Sequence, residues 1–311
     1  MMNSKMDVLC IGMALVDSII KGFNPEPVSA SGFTAASGTL NVGGEAVNEA
    51  VAAAKLGART GILCSLGQDP AGDMIVRDLE KNGVDTSLVI RDPEHSTPVT
   101  TMFVNDDGTR KSITNQAHRY NFRPEKYLDE ITNARAIILG SLFRAPFDDP
   151  TIIYNVLSSA KKAGILTVAD TKLPNFVKLT LDDVKQALPY VDYITPNEDE
   201  AKYFTGEEDP GKMADVFLKY GVKNVIIKLG SKGCYYKNAD TAIKLDAMKI
   251  DAVDATGAGD NFVAGLTTEI LNGKSIEEAL KFANACGAIC TTVVGAGTAL
   301  KNYDQVLKSL L

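Results

Sequence analysis

The stretch DATGAGDNF, from Asp254 to Phe262, joins a glycine turn to an aspartate just before an apolar segment at 262–271. This apolar-rich segment is predicted to be a helix. A turn of this kind exposes backbone N–H groups at a helix N-terminus, where the helix dipole also favours negative charge. We therefore expect an anion site beside Asp260, whose carboxylate can accept a proton. Such a pairing suits a transfer reaction in which charge moves between oxygens.

Two other interpretations of this turn remain open at this point. Gly257 and Gly259 form the GxG of a dinucleotide-binding loop, but Phe262 stands where its third glycine belongs, and the segment comes late in the chain. The GKS or GKT end of a Walker A loop is also missing. A glycine turn with a purely structural role is the remaining alternative.

The composition is that of a globular protein with an acidic surface. The 311 residues carry a formal net charge of −7, which argues against a general nucleic-acid or membrane-surface binder but not against a nucleotide ligand. The apolar run 8–16 is too short to span a bilayer and lacks the cleavage pattern of a secretory signal. We expect no nucleic-acid partner and no membrane partner.

Cysteine usage predicts a reducing compartment. The five cysteines include no CxxC pair, so we expect buried thiols in the cytoplasm and no zinc site.

Short β-rich runs alternate with helical patterns along most of the chain. This alternation predicts an α/β fold, a three-layer α/β/α Rossmann-like arrangement around a mostly parallel sheet, in a single domain spanning 1–311. Ligands bind beyond the carboxyl ends of the strands in such sheets. The predicted strands are 7–12, 61–66, 136–140, 166–170, 193–195 and 225–229, and the predicted helices are 45–56, 71–81, 151–163, 198–204 and 212–220.

Two stretches break the alternation. Residues 98–116 read as two β-runs around the hairpin signal at Asp106-Asp-Gly108, and residues 23–42 are rich in Ser, Gly, Thr and Pro. Together they predict either a small β flap over the ligand edge of the sheet or two surface loops.

Two sites near the N-terminus are candidates for binding hydroxyl groups. Asp17 follows the first strand, where a carboxylate could accept hydrogen bonds from vicinal hydroxyls or simply close a turn. Gly43 and Gly44 allow a ligand to approach the backbone closely. Asn48, in the first turn of the next helix, could present its amide to a ligand hydroxyl or cap the helix locally.

Two further motifs are candidates for the phosphate side. In PNEDE, Asn197 and Glu200 lie on one side of a helix turn and could position Mg²⁺ or its waters, or form an ordinary N-cap. In KLGSKG, Lys228 and Lys232 could meet phosphate charge, or the segment could be a plain β-turn with solvated lysines.

In this order and spacing, the motifs resemble those of the ribokinase-like (PfkB) carbohydrate kinases, from Asp7 to about Leu300. Ala255 departs from the family pattern, which usually has Thr, Ser, Pro or Val there. The N-terminal signature is met by Gly43, Gly44, Ala46, Asn48, Ala50, Gly57 and Gly67. The C-terminal signature is met by Asp254, Gly257, Ala258, Gly259, Asp260, Ala264 and Gly265.

The resemblance implies ATP-dependent phosphorylation of a sugar hydroxyl, with Asp260 as the base. The N–H groups of Gly257, Ala258 and Gly259 would stabilise the transferring phosphoryl group. Because Asp260 lies near a helix N-terminus, we expect a low pKa for its carboxyl. The implied sugar-binding residues are Asp17, Gly43, Gly44 and Asn48.

The resemblance also implies positions for ATP and for metal ions. Asn197 and Glu200 match the motif that organises Mg²⁺ and phosphate, with contact through water at Glu200, and Lys228 belongs to the same side. The turn from Gly230 to Gly233 and Asn284 would line the nucleotide. Asp254, with carbonyls near 291–299, would hold a monovalent cation, K⁺ in several members. A lid at roughly 13–42 and 96–120 often also pairs two subunits, which implies a homodimer.

The identity of the substrate stays open among a pentose, a ketohexose and a sugar acid. Ribose-specific members usually carry Lys where this chain has Glu45, and a carboxylate where it has the segment from Ser141 to Arg144. Arg110 resembles an arginine that some ketose and keto-acid kinases aim at the sugar, and Lys172 adds another cation near the site. A nucleoside kinase of the same fold and a non-catalytic sugar sensor are the alternatives.

Overall fold

The computed structural model describes residues 6–22, 35–104, 109–115 and 122–311. Its strands are β1 (Met6–Ile11), β2 (Leu15–Lys21), β3 (Ser37–Gly43), β4 (Thr60–Gly67), β5 (Val89–Asp92), β6 (Val99–Val104), β7 (Arg110–Thr114), β8 (Ala134–Leu142), β9 (Leu166–Thr171), β10 (Tyr193–Ile194), β11 (Asn224–Lys228), β12 (Cys234–Lys237) and β13 (Ala242–Leu245). Its helices are α1 (Glu45–Lys55), α2 (Pro70–Lys81), α3 (Leu128–Ile131), α4 (Pro150–Lys162), α5 (Glu198–Thr205), α6 (Pro210–Lys219), α7 (Ala258–Leu271), α8 (Ile276–Cys290) and α9 (Tyr303–Ser309). Within these ranges, none of the helices combines the length and the apolar character needed to cross a membrane.

A large sheet forms the centre of the fold. Its strand order is β13-β12-β11-β10-β9-β8-β1-β4-β5. The pairs from β11 to β5 are parallel, and only the edge strands β12 and β13 pair antiparallel within this sheet. The mostly parallel sheet predicted from the alternation is therefore confirmed.

Helices cover both faces of this sheet. Val8 and Cys10 of β1 belong to a core with side chains of α1, α2, α7 and α8, whereas Leu9 and Ile11 belong to a second core with side chains of α4, α5 and α6. Successive residues of one strand thus face opposite helical layers, as the pleat requires. The three-layer α/β/α architecture is confirmed.

Three helices begin at an Asp-Pro pair. Asp69, Asp149 and Asp209 each accept a hydrogen bond from a backbone N–H of the first turn, and the proline that follows occupies the first helical position. The predicted helices began one or two residues later, because the periodicity of apolar residues starts only after these caps.

A second, smaller sheet combines strands from the two stretches that break the alternation with β2, which precedes both of them. Its order is β3-β2-β6-β7, with β2 and β6 parallel and the outer pairs antiparallel. The prediction of a β structure is therefore confirmed, and the alternative of two surface loops is wrong. Residues 23–34, 105–108 and 116–121 of the predicted lid lie outside the described residues, as does the side chain of Arg110 at the start of β7.

Candidate active site

Helix α7 begins at Ala258, four residues earlier than predicted, so Asp260 lies inside its first turn. Gly257 is the N-cap in the left-handed conformation, with φ of 78°, and a Cβ at this position would overlap the backbone of Ala296. Asn261 Nδ2 donates to the carbonyl oxygens of Gly257 at 2.8 Å and of Ala296 at 2.9 Å. These contacts fix the glycine turn against the loop that contains Ala296.

The carboxyl of Asp260 is buried, with 8% of the residue exposed. Burial and the neighbouring charge of Glu45 raise its pKa to about 6, although Lys172 and the amide of Asn48 act in the opposite direction. The low pKa expected from the helix N-terminus is wrong, because desolvation outweighs the favourable donors. Asp260 is still mostly ionised at neutral pH.

Asn48 reaches Asp260 from helix α1. Its Nδ2 donates to Asp260 Oδ2 at 2.6 Å. The alternative of a local helix cap is wrong, because Gly44, with φ of 103°, occupies the N-cap position of α1. The two segments singled out by the sequence are therefore joined at one point.

Asp17 lies in strand β2 rather than in a turn. A Cβ on Gly43 would lie 2.5 Å from Asp17 Oδ2, so only glycine allows the two strands to bring this carboxylate so close to the start of α1. Burial and the charge of Glu45 raise the pKa of Asp17. Asp17, Gly43, Gly44 and Asn48 thus lie around the same helix start.

Glu45, the first residue of α1, forms an ion pair with Lys172, which follows strand β9. Glu45 Oε1 lies 2.9 Å from Lys172 Nζ. Although burial opposes it, the charge of Lys172 lowers the pKa of Glu45 to about 2, and Glu45 in turn raises the pKa of Lys172. The pair is therefore fully charged at neutral pH.

Lys228, at the end of β11, places a cation beside the glycine turn. Its Nζ lies 2.6 Å from Asp170 Oδ1, and both side chains are largely buried. A Cβ added at Gly259 would meet the same ammonium at 3.1 Å. The position of Lys228 is therefore compatible with the predicted contact with phosphate. Lys232 instead lies at the surface near Glu198.

Asn197 and Glu200 form a capping box at the start of α5. Asn197 Oδ1 accepts from the N–H of Glu200 at 2.9 Å, and Glu200 Oε2 accepts from the N–H of Asn197 at 3.0 Å. Thr171 Oγ1 also donates to Glu200 Oε2, at 2.8 Å. The N-cap alternative is correct locally, and the N–H of Lys228 bonds to the carbonyl of Pro196, which brings the box to the same end of the sheet.

The predicted nucleotide turn lies between β11 and β12. Gly230 and Gly233 have φ of 58° and 91°, and a Cβ on Gly233 would overlap the carbonyl of Leu245. Asn284 of α8 donates to the Sγ of Cys234 at 3.6 Å. The structure therefore brings Asn284 next to this turn, as expected.

Asp254 connects the glycine stretch to the loop after α8. Its carboxylate accepts from the N–H of Thr256 and of Gly295, both at 3.0 Å, and its own N–H bonds to the carbonyl of Thr291. The predicted neighbourhood of Asp254 and the segment 291–299 is present. Among the described residues, no group of three or more His, Cys, Asp or Glu side chains is arranged to hold a metal ion.

Glu49 is a buried carboxyl near Asp260 and Asp170 that the sequence did not single out. It is fully buried on α1, and neither carboxyl oxygen has a hydrogen-bond partner among the described groups. Burial and repulsion from Asp170 and Asp260 raise its pKa well above the usual value. The signal was present, because Glu49 lies between Ala46 and Ala50 on the apolar stripe of its helix.

Residues 5–302 match the model of the pfkB family carbohydrate kinases. The chain belongs to this family. Ribokinase from Staphylococcus aureus is 28% identical over 85% of this chain and 86% of its own length, and fructokinase-2 from Oryza sativa subsp. japonica is 31% identical over 94% and 90%. The solved structure of Arabidopsis thaliana ribokinase, complexed with ribose and ATP, superposes with a TM-score of 0.88 at 28% identity over 98% of this chain and 99% of that chain.

Family membership confirms the resemblance drawn from the two glycine signatures. It makes the protein a carbohydrate kinase, an ATP-dependent sugar kinase. The family match argues against a dinucleotide-binding protein, and the role of the glycine turn itself stays a prediction.

Proposed function

We propose that this kinase transfers the γ-phosphoryl group of ATP to a hydroxyl of a small sugar by in-line displacement, with Asp260 as base. One observation carries the proposal: Asp260, held by Asn48, lies in the first turn of a helix that begins at a glycine N-cap without a side-chain cap, beside Lys228. The base and the phosphate donors therefore share one end of the sheet.

In the reaction, Asp260 accepts the proton of the attacking hydroxyl as the oxygen approaches phosphorus. Phosphoryl transfer has a loose transition state, so holding the two reactants in line and stabilising charge matter more than base strength. The N–H groups of Gly257, Ala258 and Gly259, together with Lys228, meet the charge of the equatorial phosphate oxygens.

Asp17, Gly43, Gly44 and Asn48 are the proposed sugar-binding residues. Asp17 can accept hydrogen bonds from vicinal hydroxyls, and the two glycines leave room for the sugar beside the backbone. The acceptor is a pentose, a ketohexose or a sugar acid, and Arg110 is a further candidate contact from strand β7.

The nucleotide lies along the turn from Gly230 to Gly233 and Asn284. The complex of the Arabidopsis relative with ribose and ATP supports this choice of donor. Carboxylate oxygens are hard ligands of the kind that Mg²⁺ prefers. Glu200 is only 4% exposed and already accepts two hydrogen bonds, so direct contact with the ion is disfavoured. We therefore propose that Glu200 and Asn197 hold Mg²⁺ through water. Bound Mg²⁺ would neutralise charge on the phosphate oxygens.

Asp254 and the carbonyls of 291–299 are the proposed site of a monovalent cation, K⁺. The hydrogen bond from the N–H of Gly295 to Asp254 supports the proximity that such a site needs.

We further propose a single ribokinase-like domain whose small sheet acts as a lid and pairs two subunits. The outer strand β3 is mostly exposed and presents Leu40, 60% exposed, which supports a partner at this edge.

The described cysteines are all free and buried, as expected for a cytoplasmic protein.

The proposed function is tested by ADP release from ATP and Mg²⁺ across pentoses, ketohexoses, sugar acids and nucleosides. Turnover of a sugar or sugar acid, with the phosphorylated sugar identified as product, is the expected result. Turnover of a nucleoside alone would assign the acceptor to the nucleoside kinases of this fold. Sugar binding without turnover of any acceptor would indicate a sensor.

A further inference from the structure

We propose that the ion pair between Glu45 and Lys172 selects an uncharged acceptor, and that Lys172 donates a hydrogen bond to an oxygen of that acceptor. This inference rests on the proposed function, because it narrows the substrate class of the same site. It excludes sugar acids as preferred acceptors.

The pair lies at the acceptor end of the site. Glu45 comes two residues after Gly43, the glycine beside Asp17, and it precedes Asn48 by about one helical turn. The charges of Lys172 and Glu45 both act on the pKa of Asp260. The two side chains therefore border the space in which Asp260 would meet the attacking hydroxyl.

The position of Lys172 is fixed by the backbone on both sides. Its N–H bonds to the carbonyl of Leu142, and the carbonyl of Leu173 accepts from Arg144 Nε at 2.6 Å. The side chain of Lys172 is 37% exposed, so the ammonium group can be reached from solvent. An ammonium group carries three donors, of which Glu45 takes one, and the others can serve an acceptor oxygen.

The segment opposite Lys172 holds an uncommon backbone conformation. Ser141 and Phe143 have φ of 67° and 77°, which residues other than glycine seldom adopt, and such strain concentrates at functional sites. The Ser141 hydroxyl is buried and helps to lower the pKa of Glu45, although it makes no hydrogen bond of standard geometry within the described residues. Lys172 and Ser141 thus both favour the charged form of Glu45.

The charge balance of this end favours a neutral ligand. Among the residues whose side chains the structure describes, the carboxylates of Asp17, Glu45 and Asp260 lie near the cation of Lys172, whereas the other cation near this end, Lys228, is paired with Asp170. A sugar acid would bring a further negative charge into this group. A neutral polyol instead offers hydroxyl donors to the carboxylates and a lone pair to Lys172.

The test compares kcat and KM for neutral sugars and for the corresponding sugar acids in the wild type, K172M, E45Q and the control K178M. Lys178 is exposed and lies outside the site. The wild type should prefer the neutral sugar. K172M should raise KM for that sugar by about tenfold to a hundredfold, the cost of a hydrogen bond to a charged group, with a smaller change in kcat. E45Q should lower the ratio of kcat/KM for the neutral sugar to kcat/KM for the corresponding sugar acid.

Because K172M leaves Glu45 without its partner, K172R and the double variant E45Q/K172M complete the set. K172R should recover most of the affinity for the sugar, and the double variant should fold yet keep the high KM. Two results would overturn the inference. The first is a wild type with equal kcat/KM for a sugar acid and for its neutral counterpart. The second is a K172M variant whose KM for the neutral sugar equals that of K178M. Absence of turnover with every sugar and sugar acid would instead overturn the proposed function itself.

Discussion

Asn48 Nδ2 lies 2.6 Å from Asp260 Oδ2, although 212 residues separate the two in sequence. The bond joins the first turn of α1 to the first turn of α7, and so links the two glycine segments. Because the amide donates to a carboxylate, it stabilises the ionised form that a base must have.

Replacing Asn48 by alanine should weaken catalysis and shift its pH dependence. The hydrogen bond from Asn48 lowers the pKa of Asp260, so N48A should move the acid limb of kcat/KM to higher pH. Loss of a hydrogen bond to a charged group should also reduce kcat/KM by about tenfold to a hundredfold at neutral pH. A pH profile of N48A against the wild type measures both effects.

The matched control is N133A, since Asn133 is exposed in a turn after α3. It should retain the wild-type profile. An acid limb in N48A at the same pH as in the wild type would contradict a direct role of Asn48 in holding the ionised Asp260.

Activity should fall on the acid side of neutrality. Asp260 acts as a base only when ionised, and burial raises its pKa to about 6. As the pH falls through this value the carboxyl takes up a proton, so kcat/KM should decline about tenfold for each further pH unit. The measurement is kcat/KM for the sugar from pH 5 to 8 at saturating ATP and Mg²⁺. Full activity down to pH 5 would contradict the raised pKa.

The buried pair of Lys228 and Asp170 should respond differently to single and double substitution. K228M leaves the Asp170 carboxylate buried without its cation and should lower the free energy of unfolding by about 3 kcal/mol. D170N/K228M removes both charges and should regain most of that stability. Both variants should lose phosphoryl transfer, because Lys228 is the proposed phosphate contact.

Urea unfolding and ADP release separate the two effects of this pair. Normal turnover by the stable double variant would show that Lys228 does not assist transfer. Equal stability of the wild type and K228M would show that the pair is not a structural unit.

Gly259 should tolerate alanine structurally but not functionally. Its backbone does not need a left-handed conformation, and the nearest group to an added Cβ is the flexible end of Lys228, at 3.1 Å. G259A should fold normally but lower kcat/KM for ATP by about tenfold to a hundredfold, because the methyl group fills the space between the turn and Lys228. The control is G38A, where an added Cβ meets no atom of the described residues within 4 Å. Unchanged kinetics of G259A would place the phosphate elsewhere.

Six strands of the large sheet could be predicted from sequence because each gives a local signal, whereas β5, β12 and β13, at or next to its edges, were not predicted. Strand β4 is buried along its whole length, and it was expected at 61–66 from its apolar run. Strand β2 was not predicted, because Val16 alone among its residues is buried, its sequence shows no apolar alternation and its partners β3 and β6 come later in the chain.

The site could be located from sequence, but its electrostatics could not. The glycines around Asp260 give a local pattern, whereas its pKa depends on Glu45, Asp170 and Lys172, which come from two other elements. The pairing of Lys228 with Asp170 spans 58 residues and leaves no local pattern. The apolar stripe of α1 could have indicated that Glu49 is buried, but its position against Gly140 could not be predicted from the local sequence.

The central claim is that Asp260 takes the proton from a sugar hydroxyl, and D260N tests it most directly. Asparagine keeps the shape of the side chain and removes the base. We predict that D260N binds ATP and the sugar but that its kcat falls by about 10²- to 10⁴-fold, measured as formation of the phosphorylated sugar at pH 7.5. Phosphorylation of the sugar by D260N at the wild-type rate would contradict the account.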